Sequence, residues 1–409
     1  MWSWWRDVFM NFSELVAPNG LFSDGDWIEK KDQDENGTVR LIQLADIGAC
    51  FFKDKSAKFV TEAKAKELNC TYLQKGDILI ARLPDPLGRA CIFPLDGKYI
   101  TAVDVAIVRI SRSDINPKYV MYMINSPGFR NDIKHYESGT TRKRISRKNL
   151  DKIQFNIPPL PEQEHIISRI EELFSQLDAS VAELKTAKER LKVYRQAVLN
   201  SCLGDGTLRS IGECIKSMGQ GWSPKCERIS IEDDDSWAVI TTTAIQPMNF
   251  SFKENKKLPD SLEPRVKHEL KVGDLLITRA GPRSRCGVCC MVKQTKKRLL
   301  NCDKVYCLKV NDLIVLPEYM EAVLNAPNFQ REIAFCKTGG NDSGVNLTQS
   351  RFLSIEVPTP SLDIQKMILA KIDANLSVCD SIEKTVDTAL QQAEALRQSI
   401  LKKAFEGGL

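Results

Sequence analysis

The sequence predicts a mixed α/β (α+β) fold, in which two similar domains are separated by two long helices that form an antiparallel coiled coil. Three observations predict it: the 409 residues contain two diverged copies of one unit, each copy begins with strand-like segments, and each ends in a heptad repeat. Two copies in one chain predict a pseudo-two-fold internal repeat. We place the domains at 1–158 and 204–359, and the helices at 159–203 and 360–409.

The duplication is visible as matched segments that lie about 200 residues apart, a spacing that marks an internal repeat. QKGDILIAR at Gln74–Arg82 returns as KVGDLLITR at Lys271–Arg279. Two further pairs are YVMYMINSPGFRNDI with YMEAVLNAPNFQREI, and YRQAVLNSCLGDG with LRQSILKKAFEGG. The first part of each copy carries short β-branched runs such as DILIA and VDVAIVRI between Gly, Pro and Asn turns. This texture predicts strands with a few short helices.

The second part of each copy reads as one long helix of about forty residues, roughly 60 Å at about 1.5 Å per residue. Apolar residues recur at heptad spacing, as Ile170, Leu177, Leu184, Leu191 and Val198, and again as Ile372, Cys379, Val386, Ala393 and Ile400. A 3.5-residue period is typical of coiled coils. An ordinary amphipathic helix packed on its own domain is the alternative. Antiparallel pairing would suit a target with its own two-fold axis, such as duplex DNA.

Composition places the chain among soluble globular proteins, with 43% hydrophobic and 27% charged residues. The first residues, MWSWWRDVFMNF, lack the regions of a signal peptide, and there is no long apolar run, so we expect a cytoplasmic protein without membrane contact. Its 13 Cys residues are irregularly spaced, which indicates reduced thiols. The net charge of +5 does not by itself identify a nucleic-acid binder.

A zinc site is suggested by the spacing of four cysteines, Cys286, Cys289, Cys302 and Cys307. Comparison of the two copies argues against it. Four residues of the second copy fall opposite small apolar residues of the first: Cys289, Cys290, Cys302 and Cys307 opposite Ala90, Cys91, Val103 and Val108. Cysteines at such positions are typical of a hydrophobic core, so we expect no metal site.

Catalytic signals are weak throughout the sequence. A P-loop is absent, and the three His residues pair with no credible nucleophile. Glu254-Asn255-Lys256 has the ExK ending of one nuclease motif but no suitable upstream acid. Gly204-Asp205-Gly206 follows a long helix and reads as a helix stop and linker, not as a loop for S-adenosylmethionine. We therefore expect no catalytic residue.

The chain resembles the specificity subunits of type I restriction-modification systems over essentially its whole length. The resemblance rests on the duplicated layout, PLPEQ at Pro159–Gln163, the paired GD(I/L)LI(A/T)R segments and the helix endings RQAVLNSCLGDG and RQSILKKAFEGG. No single motif is very specific, whereas their order and recurrence are. The second copy departs from the pattern, with PTPSLDIQ in place of PLPEQ.

This resemblance implies a non-catalytic subunit of the prokaryotic cytoplasm with two target-recognition domains. Each domain would read half of a split site in double-stranded DNA, while the helices set the gap and dock two modification (methyltransferase) subunits. Restriction subunits, which translocate DNA, would complete the assembly. No cofactor is expected on this chain: S-adenosylmethionine would be bound by the modification subunits, and ATP and Mg²⁺ by the restriction subunit.

Candidate DNA contacts come from equivalent places in the two copies. The first copy supplies a basic segment, GTTRKRISRKN, with Arg142, Lys143, Arg144, Arg147 and Lys148, and a strand-end loop with Arg82 and Arg89. The second copy supplies a loop with Arg279, Arg283 and Arg285 and an almost uncharged segment with Asn341, Asn346, Thr348 and Gln349. Lys and Arg neutralise phosphates, Arg can bind guanine, and Asn or Gln can bind adenine. Unlike chemistry at equivalent places predicts an asymmetric target.

Solvated polar loops are the alternative for each segment, as they are for KQTKKR at Lys293–Arg298, which could track phosphates. Two other functions remain open. A stand-alone adenine DNA methyltransferase would bind S-adenosylmethionine, and the missing cofactor loop argues against it. A coiled-coil interaction scaffold would be indifferent to changes in the basic loop, and the charge difference between equivalent loops argues against that.

Overall fold

The computed structural model describes residues 8–84, 86–203 and 206–408. The chain forms two compact units: unit 1 comprises Met1–Leu184 and Thr388–Leu409, and unit 2 comprises Lys185–Asp387. The division falls inside the two long helices, so each helix contributes to both units. Gly204 and Asp205, which we expected to form part of a linker, lie outside the described residues.

Unit 1 combines short strands with short helices. Its strands are β1 (Phe9–Met10), β2 (Leu21–Asp24), β3 (Val39–Ile42), β4 (Lys58–Val60), β5 (Ile78–Ala81), β6 (Ala90–Ile92), β7 (Tyr99–Thr101), β8 (Val105–Arg109) and β9 (Phe155–Asn156). Its helices are α1 (Phe12–Val16), α2 (Glu62–Glu67), α3 (Pro117–Ile124), α4 (Pro127–Tyr136), α5 (Arg147–Leu150) and the first part of α6 (Leu160–Cys202).

Unit 2 likewise combines short strands with short helices. Its strands are β10 (Thr207–Ser210), β11 (Ile215–Gln220), β12 (Ala238–Ile240), β13 (Ile245–Gln246), β14 (Asn249–Phe250), β15 (Asn255–Lys257), β16 (Leu275–Thr278), β17 (Ala280–Gly281), β18 (Cys289–Met291), β19 (Leu299–Leu300), β20 (Val305–Val310), β21 (Lys337–Thr338), β22 (Val345–Leu347) and β23 (Glu356–Thr359). Its helices are α7 (Pro317–Asn325), α8 (Pro327–Phe335), α9 (Gln349–Leu353) and the first part of α10 (Leu362–Phe405).

The sheets of the two units have matching topologies. The main sheet is antiparallel, in the order β2-β8-β5-β6 in unit 1 and β11-β20-β16-β18 in unit 2. A three-stranded sheet, β4-β3-β7 or β15-β12-β19, contains one parallel pair in each case. A two-stranded ribbon, β1-β9 or β10-β23, precedes each long helix. This agreement confirms the predicted mixed fold and internal repeat.

The repeated GD(I/L)LI segment forms the turn and central strand of each main sheet. Strands β5 and β16 are buried at every position, which explains their unbroken apolar run. Gly76 and Gly273 precede them at φ +98° and +90°, a backbone conformation that favours glycine. The motif therefore recurs because both copies need the same glycine turn and the same buried strand.

The aspartate of this motif is buried and paired with a cation on the neighbouring strand. Asp77 accepts hydrogen bonds from Nε and Nη2 of Arg109 at 2.8 and 2.7 Å, and it also accepts the amide of Gln74 at 2.8 Å. Asp274 pairs with Lys309 in the second copy. The bidentate Arg109–Asp77 pair fixes the positions of both side chains and compensates the charge of the buried carboxylate.

Gln163, the last residue of PLPEQ, fastens the start of α6 to unit 1. Its Oε1 accepts the Asn116 amide at 2.8 Å, and its Nε2 donates to the carbonyls of Asp114 and Pro158 at 3.0 and 2.7 Å. Gln365 repeats this arrangement at the start of α10, with the Leu316 amide and two carbonyls as partners. Both glutamines are fully buried. The second helix start therefore copies the first, although PTPSLDIQ departs from PLPEQ.

Replacing Gln163 with Leu should lower the free energy of unfolding by about 3 kcal/mol, because three buried backbone groups lose their hydrogen-bond partners. Urea unfolding followed by circular dichroism measures this change. Glu164→Leu is the matched control, since Glu164 is the exposed neighbour on the same helix, and a change within about 0.5 kcal/mol is expected. Equal effects of the two substitutions would contradict the anchoring role of Gln163.

Helices α6 and α10 pair in an antiparallel manner within each unit. In unit 2, Lys188 contacts Asp387 at 2.6 Å, while Arg195, farther along α6, contacts Asp380 at 2.7 Å. Partner numbers fall as the α6 numbers rise, which defines opposite directions. In unit 1, Arg397 pairs with Asp178 and lies 4.4 Å from the ring centroid of Phe174. Both guanidinium groups therefore join the two helices.

The predicted seam residues face inward to different extents. Fully or nearly fully buried are Ile170, Val198, Ile372, Cys379, Val386 and Ile400, while Leu177, Leu184, Leu191 and Ala393 are half-buried. Ile170 and Ile400 belong to the core of unit 1, and Val198 and Ile372 to that of unit 2. Among the described residues, no helix combines the length and apolar character required to cross a membrane.

The cysteines of the second copy occupy core positions, with Cys289, Cys290 and Cys302 at most 5% exposed. Two details of the predicted correspondence were wrong. The Val305 amide donates to the carbonyl of Cys302 as the Val105 amide does to that of Ala102, so Cys302 corresponds to Ala102 and not to Val103. Cys307 lies opposite Leu276 just as Ile107 lies opposite Leu79, so Cys307 corresponds to Ile107 and not to Val108. A shift of one residue moves a side chain to the other face of a sheet. Ile107 and Val108 are both apolar, so the core interpretation stands.

Candidate nucleic-acid interface

The candidate residues of unit 1 gather where loops leave one end of the strands of its main sheet. In the antiparallel register, Asp24 lies opposite Ala106 and Ala81 lies opposite Val105. The ends of β2 and β5 therefore meet the start of β8 at the same edge. In unit 2 the ends of β11 and β16 meet the start of β20 in the same way. We call these two places the loop edges.

The basic segment of unit 1 is anchored to its loop edge. The amide of Ile145 donates to the carbonyl of Arg82 at 3.2 Å, and Ser138 and Arg144 exchange two backbone hydrogen bonds of 2.8 Å. The equivalent segment of unit 2 is held alike, because the Leu347 amide donates to the Arg279 carbonyl at 2.7 Å. The two segments thus occupy equivalent positions on equivalent scaffolds.

All five basic residues of the unit 1 segment are exposed: Arg142, Lys143, Arg144, Arg147 and Lys148. Three of them form surface ion pairs, to Glu137 at 2.7 Å, to Asp104 at 3.4 Å and to Asp24 at 3.4 Å. Within the described ranges, Arg142 and Lys148 form no ion pair. Exposed pairs contribute little stability, so these cations can exchange carboxylates for phosphates.

Arg82 is only 6% exposed, in contrast to the basic segment. Its Nη1 lies 3.1 Å from Asp24, and its Nη2 donates to the carbonyl of Val103. Burial lowers the pKa of the Arg82 guanidinium, although Asp24 and Asp104 oppose this shift. Arg82 is therefore a charged support beneath the loop edge, and its direct contact with DNA stays a prediction.

Arg89, which was also expected to contact DNA, is only 6% exposed, and its contact with DNA stays a prediction. Its Nε donates to the carbonyl of Ile47 at 2.9 Å, and its Nη2 to that of Leu44 at 2.9 Å. These carbonyls belong to the turn that follows β3. A guanidinium that donates to several backbone carbonyls in this way fixes the loop that carries them.

Arg285 performs the same task in unit 2. Its Nη2 donates to the carbonyls of Thr242 and Ile245, and its Nη1 donates to Gln246 at 2.9 Å. Arg285 lies two residues before Gly287, whereas Arg89 directly follows the corresponding Gly88. Arginines from different positions thus hold equivalent turns, and DNA contact by the half-buried Arg285 stays a prediction.

Arg279 occupies the position of Arg82 but has a neutral partner. Its Nη1 donates to Gln220 Oε1 at 2.9 Å, and the guanidinium lies 5.3 Å from the ring centroid of Tyr306. Gln220 is the last residue of β11, as Asp24 is of β2. The charge of Arg279 is therefore not neutralised as that of Arg82 is. Sequence comparison missed this exchange because LFSD and SMGQ, which align in the strand register, have no identical residue at any position.

The remaining unit 2 candidates form a polar surface with little charge. Arg283 pairs with Asp342 at 2.7 Å and joins the two loops. Exposed at the loop edge are Asn341, Asn346 and Gln349. Thr348 is half-buried at the N-cap of α9, with its hydroxyl 3.4 Å from that of Thr338. Amides and hydroxyls can both donate and accept hydrogen bonds to base edges.

The KQTKKR segment does not present all its charges to solvent. Lys296 is 6% exposed and donates to the carbonyls of Asp233 and Ser236, the latter at 2.8 Å. Burial lowers the pKa of the Lys296 ammonium. The interpretation of this segment as a phosphate track is therefore wrong at Lys296. Among the described residues, no cluster of three or more His, Cys, Asp or Glu side chains is arranged to hold a metal ion.

Comparison with known proteins agrees with this geometry. Residues 19–189 match the family model for the type I restriction modification DNA specificity domain. The EcoEI type I restriction enzyme specificity subunit of Escherichia coli is 33% identical over 195 residues, which cover 48% of this chain and 33% of that protein. The EcoKI specificity subunit of Escherichia coli strain K12 is 26% identical over 310 residues, covering 71% and 65%. The chain thus spans about a third to two thirds of the length of these relatives.

A solved structure, described as showing complex assembly and conformational transition of the type I R-M system, has the same fold. It superposes with a TM-score of 0.66 at 15% identity over 98% of both chains. Residues 19–189 carry the DNA specificity domain of type I restriction-modification systems, and the chain is similar to their specificity subunits.

Proposed function

We propose that this chain is the non-catalytic DNA-recognition subunit of a type I restriction-modification complex, in which each unit reads one half of a split, asymmetric site. One observation carries the proposal: the same loop edge occurs twice, with five exposed cations in unit 1 and mainly amides and hydroxyls in unit 2. A duplicated scaffold with different contact chemistry suits two unlike half-sites.

Binding would divide between phosphates and bases. Exposed cations of the unit 1 segment suit phosphate oxygens or guanine edges, and the amides of Asn341, Asn346 and Gln349 suit adenine edges. Arg279 and Arg283 would supply positive charge to the second half-site. The anchoring arginines, Arg89 and Arg285, would support these contacts by holding the loops rigid.

The helices would set the gap between half-sites and dock two modification subunits. Adenine methylation would then take place on the modification subunits, which would bind S-adenosylmethionine, and DNA translocation on restriction subunits, which would bind ATP and Mg²⁺. This chain would bind none of these cofactors. Its own contribution would be to bind double-stranded DNA in the prokaryotic cytoplasm and to orient its partners on it.

Mapping of methylated adenines in cells that carry this chain with its modification partner tests the proposal. A split motif with two unlike halves is expected, and it should vanish when this chain is removed. Replacement of Asn341, Asn346 and Gln349 by Ala should alter one half of the motif and leave the other intact. A palindromic motif, or one that persists without this chain, would count against the proposed role.

A further inference from the structure

The loop edge of unit 1 presents two aromatic side chains to solvent. Trp27 is 70% exposed and Phe51 is 57% exposed. Trp27 lies shortly after the end of β2, where Asp24 pairs with Arg147 of the basic segment at 3.4 Å. Phe51 follows Cys50, whose amide donates to the carbonyl of Ala90 at the start of β6. Large aromatic groups are enriched where proteins bind partners, and an exposed pair next to cations marks a surface with a ligand.

Trp27 belongs to a turn that is fixed to the sheet. It follows Gly25 and Asp26, whose amides donate to the carbonyls of Val105 and Thr101 at 2.8 Å each. The Asp26 carboxylate accepts the Thr71 amide at 3.0 Å. The indole itself makes one long hydrogen bond, from Nε1 to Glu29 at 3.4 Å. The backbone is thus held while the ring remains free to contact a ligand.

Phe51 belongs to a second fixed turn, at the other side of the same edge. The amide of Cys50, its neighbour, donates to the carbonyl of Ala90 at 2.9 Å, and Ala90 begins β6. The Phe51 carbonyl accepts the Gly48 amide at 2.9 Å. Arg89 Nε donates to the carbonyl of Ile47, the residue before Gly48. Because both turns are already ordered, binding through these rings would cost little conformational entropy.

Unit 2 has polar residues at both positions. The Asp26 amide donates to the carbonyl of Thr101, and the Trp222 amide to that of Asn301. Each acceptor lies four residues before the next strand of the main sheet, β8 or β20, so the next residues, Trp27 and Ser223, correspond. Cys50 and Met248 likewise donate to the first residues of β6 and β18, so Phe51 corresponds to Asn249. The exposed aromatic pair is therefore not required by the repeated scaffold.

Resting on the proposed function, we infer that Trp27 and Phe51 contact the DNA half-site of unit 1 through its apolar groups, the thymine methyls. Thymine methyl groups are the apolar features of the major groove, and aromatic side chains contact them without ionic bonds. The basic segment would then supply the salt-dependent affinity of unit 1, and the aromatic pair a salt-independent contact that unit 2 lacks.

The test measures affinity of the full chain, assembled with its modification subunits, for a fluorescent duplex that carries the mapped methylation motif. Trp27→Ala and Phe51→Ala should each weaken binding about tenfold. The slope of log affinity against log salt concentration should not change, whereas Arg142→Ala should reduce it by about 0.9. Uracil in place of thymine in the unit 1 half-site should weaken wild-type binding, with no further effect on the double aromatic variant.

Phe9→Ala is the matched control, because Phe9 is an aromatic side chain with the same 57% exposure as Phe51, and it lies on the β1-β9 ribbon and not on a loop-edge turn. Full affinity in both aromatic variants, or equal losses on thymine and uracil duplexes, would overturn the inference. If Arg142→Ala also left affinity and slope unchanged, the proposed function of unit 1 would fail with it. Loss with Arg142→Ala alone would overturn only the aromatic contact.

Discussion

Charge reversal to Glu at Arg142, Lys143, Arg144, Arg147 and Lys148 is expected to weaken DNA binding by about 1,000-fold or more at low salt. Each phosphate contact contributes about 0.9 to the slope of log affinity against log salt, so loss of several contacts lowers the slope by roughly 3 to 4. All five side chains are exposed, and none belongs to the core of unit 1. Fluorescence anisotropy over a salt series measures both quantities.

The controls for this prediction separate charge from structure. Alanine at the same five positions removes positive charge without new repulsion from Glu137, Asp104 and Asp24, and it should produce a smaller loss of the same kind. Lys75→Glu, matched to Arg142→Glu, changes an exposed lysine before β5, at the opposite edge of the sheet, and should have little effect. Equal losses for Lys75→Glu and Arg142→Glu would refute a localised contact.

The base preference of the other half-site provides a second check. Methylation mapping of the charge-reversed chain should show relaxed or lost recognition at one half of the motif, with the other half unchanged. This follows because the Asn341, Asn346 and Gln349 surface belongs to unit 2 and shares no residue with the basic segment. Altered base preference at both halves would contradict the assignment of one half-site to each unit.

Much of the fold could be predicted from the sequence because the chain supplies its own comparison. Segments such as GDILIAR and GDLLITR recur since a Gly turn, a buried Asp and a fully buried strand are needed twice. The heptad spacing predicted the long helices for the same kind of reason. The spacing of apolar residues in each helix shows which side chains are turned inward, and this spacing can be read directly from the sequence.

The candidate interface could be predicted only in part. Arg89 and Arg285 look like the exposed arginines of a strand-end loop, yet their guanidinium groups hold the carbonyls of a distant turn. The acceptors are backbone carbonyls about 40 residues away in the chain. Because every residue has such a carbonyl, the residue types in the sequence do not reveal these partners. The Asp24 and Gln220 exchange was hidden similarly, because only strand register aligns these residues.

Departures from a motif proved a poor guide to departures in structure. SLDIQ, which aligns with PLPEQ through its final glutamine, lacks both prolines and the glutamate, but Gln365 makes the hydrogen bonds of Gln163 with equivalent groups. The physical requirement at this place is a buried amide that can donate twice and accept once. A glutamine satisfies it whatever precedes it, so the helix start is retained while the motif is not.

Removal of one heptad from each long helix, Val181–Ala187 and Thr388–Glu394, is expected to shorten the gap between half-sites by about three base pairs. Seven helical residues correspond to roughly 10 Å at about 1.5 Å per residue, and one base pair to about 3.4 Å. The deletion leaves the Asp178–Arg397 pair of unit 1 and the Lys188–Asp387 pair of unit 2 in place. Seam periodicity is kept, because whole heptads are removed.

Methylation mapping of this double deletion should return both original half-sites with a shorter gap, and affinity for the original site should fall by about 100-fold or more. Deletion in one helix alone is the control, because it leaves opposed charges out of register and should weaken binding to sites of either gap. The residues expected to contact bases lie at the loop edges, which the deletions do not touch, whereas the gap between half-sites is expected to depend on the length of the helices. An unchanged gap in the double deletion would mean that the helices do not set the spacing.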